Sequence, residues 1–541
     1  MKILLAMSIV LLLALGGCTS TRVLAEDNIP IYTMDTREAG IEAVAEAAMS
    51  DDQEPATATH IAIISDGGRY GLINSVGQVI APAMWDGIWE FYENRAVFEL
   101  DGSFGFVDTA GNVIAPAVWD AAWSFSEGLA LVEQNGLYGF IDSLGNVVVE
   151  PIWDSAGIFA DGLAMVESNG LYGFIDSTGA VVVDVVWDMV WDFSEGFAIV
   201  ESNGFLGFVN RAGEVISEPD WDDAYDFQEG RAVVEWDWGY GFIDTAGDLI
   251  IDIEWDNAWS FSRGVALVEW DGFFGLIDPY GDIVIEPEWD MIWVAENYDV
   301  VILEFDELFG LADLQGNILT DLDFAWDSIT YFADGMAAVG IDGQYGFVDI
   351  HGNAVVELIW DDVWEFSNGL AVIGQNGLYG FVDRHGRVVV QPIWEGLWDF
   401  TGALAIVERD GMFGYIDGTG RVISEPQWDM AFDVVDGFAV VGLDGRYGFI
   451  DVIGNVVAEP IWDRLWNFSE GRAMFEYGGK FGFLDASGNV IVEAIWDAAW
   501  DFANGFAVVE LDGRQGFVGL TGDVVIVPGW DAVGDFVVFA Q

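Results

Sequence analysis

A tryptophan followed by an acidic residue recurs at a fixed spacing along most of this chain, and this period constrains the fold more than any other feature. Seven such pairs lie 34 residues apart from Trp85 to Trp289, and seven more lie 34 residues apart from Trp326 to Trp530. The single irregular step, from Trp289 to Trp326, is 37 residues long. Self-similarity at one fixed period is typical of repeat architectures. The sequence therefore predicts fourteen copies of one small unit.

The residue pattern within one copy predicts short β-strands. Residues 128–133 read as a strand, and the Asn135-Gly136 pair after them is typical of a two-residue hairpin turn. Leu137 to Asp142 is the next predicted strand, residues 147–149 are a third, and the segment after Trp153 predicts a fourth strand or a return loop. Helical periodicity is absent from the repeats, so we expect an all-β repeat protein. Because one such unit cannot bury both of its faces, neighbouring units must stack.

The repeated residues resemble those of the bacterial WG-repeat family. Copies in that family carry an aromatic-Gly-Phe-Ile-Asp core, present here from Tyr138 to Asp142, and a WDxAxxFSEG-like segment, present here from Trp119 to Gly128. The resemblance covers roughly residues 60 to 541. Tyr, Phe, Leu or Gln stands where the family has the Trp of its Trp-Gly pair. The resemblance implies an architecture and a cellular location, and it implies no general catalytic activity.

Two arrangements of the copies fit this pattern. Propellers typically have four to eight blades, so the division into seven and seven copies favours two seven-bladed β-propellers. The alternative is an open β-solenoid, which accepts any copy number and explains a short repeat better. We accordingly expect repeats 1–7 in residues 60–297 and repeats 8–14 in residues 298–541.

The first 59 residues differ in character from the repeats. Residues 1–18 combine a basic start, an apolar run and small residues, which is typical of a secretory signal peptide. The ending Leu15-Gly16-Gly17-Cys18 resembles the lipobox of bacterial lipoproteins, and Cys18 is the only cysteine of the chain. The resemblance implies lipidation at Cys18 and a place in the cell envelope, at the outer membrane or the cell surface. Residues 19–59 are polar and predict a flexible tether.

Composition excludes several classes of function. The 92 acidic and 17 basic residues give a net charge of −75, which repels nucleic-acid phosphates and anionic lipids. We expect no nucleic-acid partner and contact with a membrane through the lipid anchor only. One cysteine and three histidines exclude disulfide frameworks, Cys/His zinc sites and Cys–His catalysis. No cofactor is predicted; Ca²⁺ is the alternative, since oxygen ligands are abundant. The acidity itself indicates either adaptation to high salt or a surface for cations or a basic partner.

Each copy carries two aromatic positions with different expected roles. The Trp of each Trp-acid pair is expected in the core, because burying an aromatic side chain removes about 150–250 Å² from water. The position four residues later varies and includes Gly157, Thr330 and Gly534, so it is less demanding than a core position. If exposed, its rings suit stacking on sugars or gripping a protein; the alternative is packing between repeats. The predicted ligand-binding residues at this position, called here the indole series, are Trp89, Trp123, Trp191, Trp259, Trp293, Trp364, Trp398, Trp466 and Trp500.

The pattern as a whole predicts a binding or scaffolding module for a protein or carbohydrate partner, and not an enzyme. Carboxylates repeated in every copy favour a shared structural duty over one catalytic pair. The first alternative is a carbohydrate-active enzyme on a propeller, which requires one unit that departs from the consensus. The best candidate for such a unit is residues 291–330, where the repeat is irregular. The second alternative is a purely structural spacer of the envelope.

Overall fold

The computed structural model of the protein describes residues 60–320 and 326–539. These residues belong to one compact unit and form strands and turns, with no helix among them. None of them builds a helix long and apolar enough to cross a membrane. The predicted signal peptide with Cys18 and the predicted tether lie outside the described residues.

The strands form fourteen sheets, which are numbered 1 to 14 by the chain order of their long strands. Sheet 3 shows how one unit folds. Its strands pair in the order Ala121–Ala122, Leu129–Gln134, Leu137–Asp142 and Val147–Trp153, each antiparallel to the next. Asn135 and Gly136 both have positive φ, 55° and 80°, as the predicted two-residue hairpin requires. After Trp153 the chain forms a two-residue edge strand and then a return loop, and that edge strand belongs to the next sheet.

Fourteen such sheets follow one another along the chain. The short edge strands are Gly87–Ile88, Ala121–Ala122, Ser155–Ala156, Met189–Val190, Asp223–Ala224, Asn257–Ala258, Met291–Val294, Ser328–Ile329, Asp362–Val363, Gly396–Leu397, Met430–Val435, Arg464–Ser469, Ala498–Ala499 and Ala532–Val533, with Val537–Val538 beside the last. The first long strands are His60–Asp66, Arg95–Leu100, Leu129–Gln134, Leu163–Ser168, Phe197–Ser202, Arg231–Trp236, Ala266–Trp270, Val300–Phe305, Met336–Ile341, Leu370–Gln375, Leu404–Arg409, Phe438–Leu443, Arg472–Tyr477 and Phe506–Leu511.

The remaining strands complete the sheets. The second long strands are Arg69–Asn74, Ser103–Asp108, Leu137–Asp142, Leu171–Asp176, Phe205–Asn210, Gly239–Asp244, Phe273–Ile277, Leu308–Asp313, Gln344–Asp349, Leu378–Asp383, Met412–Asp417, Arg446–Asp451, Lys480–Asp485 and Arg514–Gly519. The third are Val79–Trp85, Val113–Trp119, Val147–Trp153, Val181–Trp187, Val215–Trp221, Leu249–Trp255, Ile283–Trp289, Ala354–Trp360, Val388–Trp394, Val422–Trp428, Val456–Trp462, Val490–Trp496 and Val524–Trp530. Sheet 8 has three strands in the part of the chain that the structure describes.

The two ends of the array meet in sheet 1. Its edge strand comes from the last repeat, since Ala532 pairs with Ser65 and Val533 with Ile64. The Gly534 amide also donates to the Ile63 carbonyl oxygen at 2.8 Å. A chain whose last segment completes its first sheet is closed, so the fourteen sheets form a propeller-like ring.

The hydrophobic core is divided among the contacts between neighbouring sheets, each of which is called a joint here. At the joint of sheets 3 and 4, Phe140 and Trp153 pack against Phe159 and Val166. Equivalent clusters are found at other joints, including sheet 7 to sheet 8 and sheet 14 to sheet 1, and Phe483 contacts Phe502 between sheets 13 and 14. The first tryptophan of the repeat is buried in ten copies and half-buried at Trp187, Trp221, Trp462 and Trp530. Its expected place in the core is therefore confirmed.

Two glycines of the repeat are fixed by close approach of the backbone. A Cβ at Gly139 would lie 2.4 Å from the Val149 carbonyl oxygen, because the third strand bulges toward the second there. Gly145 has φ of +82°, and a Cβ on it would lie 2.2 Å from the Ile114 carbonyl oxygen of the preceding sheet. Close packing of the backbone therefore requires glycine in the aromatic-Gly-aromatic motif and in the turn after it.

The all-β repeat fold and the propeller-like arrangement are confirmed. The division into two seven-bladed propellers is not confirmed: it would close sheet 7 on sheet 1, whereas the described contacts seat sheet 14 there and pack sheet 7 on sheet 8. The alternative of an open solenoid has two free ends, which the pairing of Ser65 with Ala532 removes. The joint near residue 297 resembles the others in that its two sheets share one buried cluster.

Candidate functional site

The indole series lies at one equivalent position, directly after the first two residues of the edge strand in nine of the sheets. Trp123 continues that strand, since its amide donates to the Leu131 carbonyl oxygen at 3.0 Å. Six members have exposed fractions between 36% and 46%: Trp89, Trp123, Trp191, Trp364, Trp398 and Trp500. Trp259, Trp293 and Trp466 are half-buried. The structure thus places all nine at the surface or near it, and their predicted role in binding stays a prediction.

A second ring holds most of these indoles in place. The Trp123 ring lies 5.8 Å from the Tyr138 ring on the second long strand of the same sheet, tilted by 41°. The tyrosine belongs to the aromatic-Gly-aromatic motif, so one motif residue supports the indole while its glycine allows the bulge. The same pair of positions meets at 5.7 to 6.3 Å in six other sheets: Trp89–Phe104, Trp259–Phe274, Trp293–Phe309, Trp364–Tyr379, Trp398–Phe413 and Trp466–Phe481.

Carboxylates follow the aromatic position in several copies, and their environment disfavours charge. Burial raises the pKa of Asp226, and the charge of Asp192 in the preceding sheet raises it further. Burial and then the charge of Glu365 raise the pKa of Asp399 in the same way. Burial also raises the pKa of Asp501. These carboxyls lie next to Tyr225, Trp398 and Trp500 in sequence, so the aromatic positions are accompanied by acids that take up protons more readily than usual.

The acid of the Trp-acid pair has a structural role that the sequence reasoning did not assign. One oxygen of Asp120 accepts a hydrogen bond from the Asn135 amide at 2.5 Å, which fixes the first residue of the hairpin. The same bond, from 2.5 to 2.8 Å, occurs in all fourteen copies, including the copy with Glu395. The constant spacing between this acid and the hairpin was the signal that could have revealed it.

The acids at the end of the second long strand stabilise the turn that follows it. Asp142 accepts hydrogen bonds from the amides of Leu144 and Asn146, at 2.9 and 2.8 Å. The Asn146 side chain also donates to Asp142, and this bond, the largest of the contributions, holds the pKa of Asp142 below its ordinary value. Asp485 and Asn489 repeat the arrangement with the same effect on pKa. These carboxylates stabilise turns.

Hydrogen bonds between return loops link neighbouring sheets. The Glu127 carboxylate accepts from the Gly162 amide of the next sheet at 2.7 Å, and the Ser126 hydroxyl donates to the Phe159 carbonyl oxygen at 2.8 Å. Carboxylate-to-amide bonds of this kind recur at Glu93–Gly128, Glu195–Gly230, Glu229–Gly264, Asp334–Gly369 and Glu470–Gly505. The loops that carry the indole series are therefore held rigidly against one another.

One joint departs from this regularity. Six residues after the first tryptophan, twelve copies have phenylalanine, whereas sheet 8 has Ala295 and sheet 12 has Val434. That phenylalanine normally packs on a ring of the preceding sheet, as Phe159 does on Phe140 at 4.8 Å. At the joint of sheets 7 and 8 the facing residue is Leu276, so both rings are missing. A cavity of about 630 Å³ opens there, next to Ala295.

The irregular region that the sequence singled out, residues 291–330, lines part of this cavity, but the residue that opens it, Ala295, was not recognised from the sequence. The signal was available, since aligning the copies shows Ala295 where twelve others have phenylalanine. Elsewhere, among residues 60–320 and 326–539, no group of three or more His, Cys, Asp or Glu side chains is arranged to hold a metal ion. The expectation of no cofactor, with Ca²⁺ as the alternative, stays a prediction.

The chain belongs to the family of proteins with the WG containing repeat, which matches well over half of its length. The match confirms the family that the aromatic-Gly-Phe-Ile-Asp core indicated. No curated protein matches the chain. The family matches at residues 70–103, 104–138, 138–172, 172–204, 207–235, 240–272, 309–345, 345–379, 379–412, 413–447, 447–481 and 481–514.

Solved structures similar to this chain share little of its sequence. A eukaryotic initiation factor is 14% identical, with 55% of this chain and 95% of that chain covered and a TM-score of 0.25. The extracellular domain of a hybrid two component system from B. thetaiotaomicron is 9% identical, with 80% and 74% covered and a TM-score of 0.20. PorZ, a bacterial surface component of the type-IX secretion system of Porphyromonas gingivalis, is 10% identical, with 87% and 80% covered and a TM-score of 0.19. Likenesses of this size carry no argument about function.

Proposed function

We propose that this protein is a surface-anchored repeat lipoprotein whose ring acts as a binding or scaffolding module for a protein or carbohydrate partner, and not as an enzyme. The observation that carries the proposal is the indole series, whose rings recur partly exposed at one position of successive sheets. Seven of its nine members are supported by a neighbouring ring, and hydrogen bonds link several of the loops that carry them, so little conformational freedom is lost when a partner binds.

The chemistry of this surface favours neutral or basic partners. Indole faces stack on the apolar faces of sugars and serve as anchors at protein interfaces. The net charge of −75 opposes polyanions, so nucleic acid is not a proposed partner. No resident metal or other cofactor is part of the proposal.

Anchoring is proposed from the sequence alone, on the Leu15-Gly16-Gly17-Cys18 motif. Acyl chains bury methylene groups at about 0.8 kcal/mol each, which holds a protein at a bilayer. Replacing Cys18 with Ser should move the protein from the membrane fraction to the soluble fraction and prevent incorporation of labelled fatty acid. Retention of the Cys18→Ser variant in the membrane fraction would contradict the lipid anchor.

The binding role is tested with a glycan panel and a variant in which Trp123, Trp191, Trp364 and Trp500 are all changed to Ala. These residues are exposed, so the variant should fold and lose binding. The matched control changes Trp236, Trp238 and Trp270, which are exposed at hairpins outside the series, to Ala. Equal loss in both variants would show that the series has no special role.

The enzyme alternative has one observation in its favour, the cavity at the joint of sheets 7 and 8, which is lined in part by the acidic residue Glu296. Incubation of the protein with the same glycans decides between the two: cleavage that is lost in Glu296→Gln would replace the binding module with an enzyme. If the protein neither binds nor cleaves any partner, the remaining alternative is a purely structural spacer of the envelope.

A further inference from the structure

The cavity at the joint of sheets 7 and 8 is a property of this joint and not of the repeat. At regular joints an aromatic pair such as Phe140 and Phe159 fills the space. Ala295 stands at the position of the second ring and lines the cavity, while Leu276, Trp289 and Ile292 pack into the buried cluster that joins the two sheets. The joint therefore keeps its core and gains a cavity beside it.

The other joint without phenylalanine shows that an open space is not inevitable. Val434 also replaces the ring, but it is buried and faces Tyr415, which is fully buried. The Tyr415 hydroxyl donates to the Phe432 carbonyl oxygen at 2.8 Å and accepts from the Phe432 amide at 3.1 Å. The longer side chain occupies the volume that valine gives up. At the joint of sheets 7 and 8 the residue at the position of Tyr415 is Leu276, which is shorter than tyrosine, and a cavity remains beside Ala295.

The walls of the cavity combine aromatic rings with one negative charge. The aromatic residues are Trp259, Trp293, Tyr298, Tyr331 and Phe332, and the charged lining residue is Glu296. Tyr298 is fixed, because its hydroxyl accepts the Gly335 amide at 2.9 Å and its ring lies 5.9 Å from Phe332. A volume of about 630 Å³ lies within the range of small-molecule sites.

Charge selects the class of ligand. The chain carries a net charge of −75, which repels anions. The base nearest in sequence to the lining loops, Arg263, is held in an ion pair with Asp299 and donates to the Glu296 carbonyl oxygen, so its charge is compensated. Aromatic faces attract cations, above all those with apolar substituents such as quaternary ammonium groups.

We propose that the cavity between sheets 7 and 8 binds a small organic cation of the quaternary ammonium type. The aromatic rings contact its alkyl groups, and Glu296 balances its charge. This site does not depend on the proposed function, because its ligand differs from the partner of the exposed indoles. Two half-buried members of the indole series, Trp259 and Trp293, line the cavity, whereas the six exposed members do not.

The test is calorimetric titration of the full chain with choline, with its neutral isostere 3,3-dimethylbutan-1-ol and with glucose. We expect choline to bind one site, and the isostere to bind roughly tenfold more weakly, because it lacks the cation–π contribution.

Ala295→Phe restores the residue of the other copies, fills the cavity and should abolish choline binding. Tyr331→Ala, at a residue that is 68% exposed, should fold normally and weaken binding. Trp123→Ala, the equivalent of Trp293 at a regular joint, should leave binding unchanged.

Three results would overturn the proposal. These are choline binding that is equal in the wild type and in both cavity variants, isostere or glucose binding that is as tight as choline binding, and the absence of choline binding. Loss of glycan binding in the variant of the exposed indoles with intact choline binding would separate this site from the proposed function.

Discussion

The joint of sheets 3 and 4 and the joint of sheets 7 and 8 are built from the same repeat positions, and the second lacks the aromatic pair of the first. Phe140 and Phe159 pack edge to face at the first, whereas Leu276 and Ala295 stand in their places at the second, where a cavity of about 630 Å³ opens beside Ala295. Both joints keep a buried cluster that includes the first tryptophan of the repeat. A ring of many equal joints distributes its stability, so one joint can be opened for a ligand while the others hold the fold.

The largest expected effect lies at the regular joint. Phe159→Ala removes a ring that is 2% exposed, and large-to-small changes of this kind reduce the free energy of unfolding by about 3–5 kcal/mol. Chemical denaturation followed by circular dichroism measures the loss. Tyr331→Ala, at an exposed aromatic residue, is the matched control and should change stability by less than about 0.5 kcal/mol. A similar small change in Phe159→Ala would mean that the joint does not depend on its aromatic pair.

The joint of sheets 11 and 12 provides a smaller effect. Tyr415→Phe deletes the hydroxyl that bonds to both backbone groups of Phe432 and should cost about 1–3 kcal/mol. Tyr331→Phe removes an exposed hydroxyl and should be neutral. If Tyr415→Phe is as stable as the wild type, the hydroxyl does not compensate for Val434.

The hairpin bond is expected to contribute less and equally at every sheet. Asp120→Ala removes the acceptor of the Asn135 amide, which by analogy with helix caps costs about 0.5–2 kcal/mol. Asp120→Asn keeps an acceptor and should be milder. Glu150→Ala removes the same charge at an exposed residue and serves as the control. Equal stability of the Asp120→Ala and Glu150→Ala variants would mean that Asp120 affects stability only through its charge.

The smallest expected effect is the dependence of the protein's stability on pH. The raised pKa values of Asp226, Asp399 and Asp501 mean that the folded state binds these protons more tightly than the unfolded state, so stability rises as the pH falls through them. The lowered pKa values of turn acids such as Asp142 and Asp485 act in the opposite sense. The stabilisation from these turn acids is present above pH 3.8, the ordinary pKa of Asp, and is lost as the pH falls below it. Melting temperatures should therefore peak in weak acid, above about pH 4; a steady fall from pH 7 to 5 would contradict this.

Much of the fold could be predicted because each repeat specifies its own strands and its contact with the next repeat. The Asn135-Gly136 hairpin, the core position of Trp153 and the turn at Asp142 all follow from local patterns. The closure of the ring could not be predicted in this way, because it depends on a small rotation at every joint that no single residue encodes. The candidate sites were predicted in part: the indole series was identified, while the cavity at Ala295 required knowing which residues face each other across a joint.

The central claim is that the last repeat completes the first sheet and closes all fourteen sheets into one ring. The most direct test forms a disulfide between Ser65→Cys and Ala532→Cys in a chain that also carries Cys18→Ser. These residues are direct strand partners, whose Cα atoms lie about 4.5–5.5 Å apart, within reach of a disulfide. Non-reducing electrophoresis should show the cross-link in this variant and none between Ser65→Cys and Met291→Cys, the pair that two seven-bladed rings would bring together. A cross-link between Ser65→Cys and Met291→Cys, with none between Ser65→Cys and Ala532→Cys, would contradict the single ring.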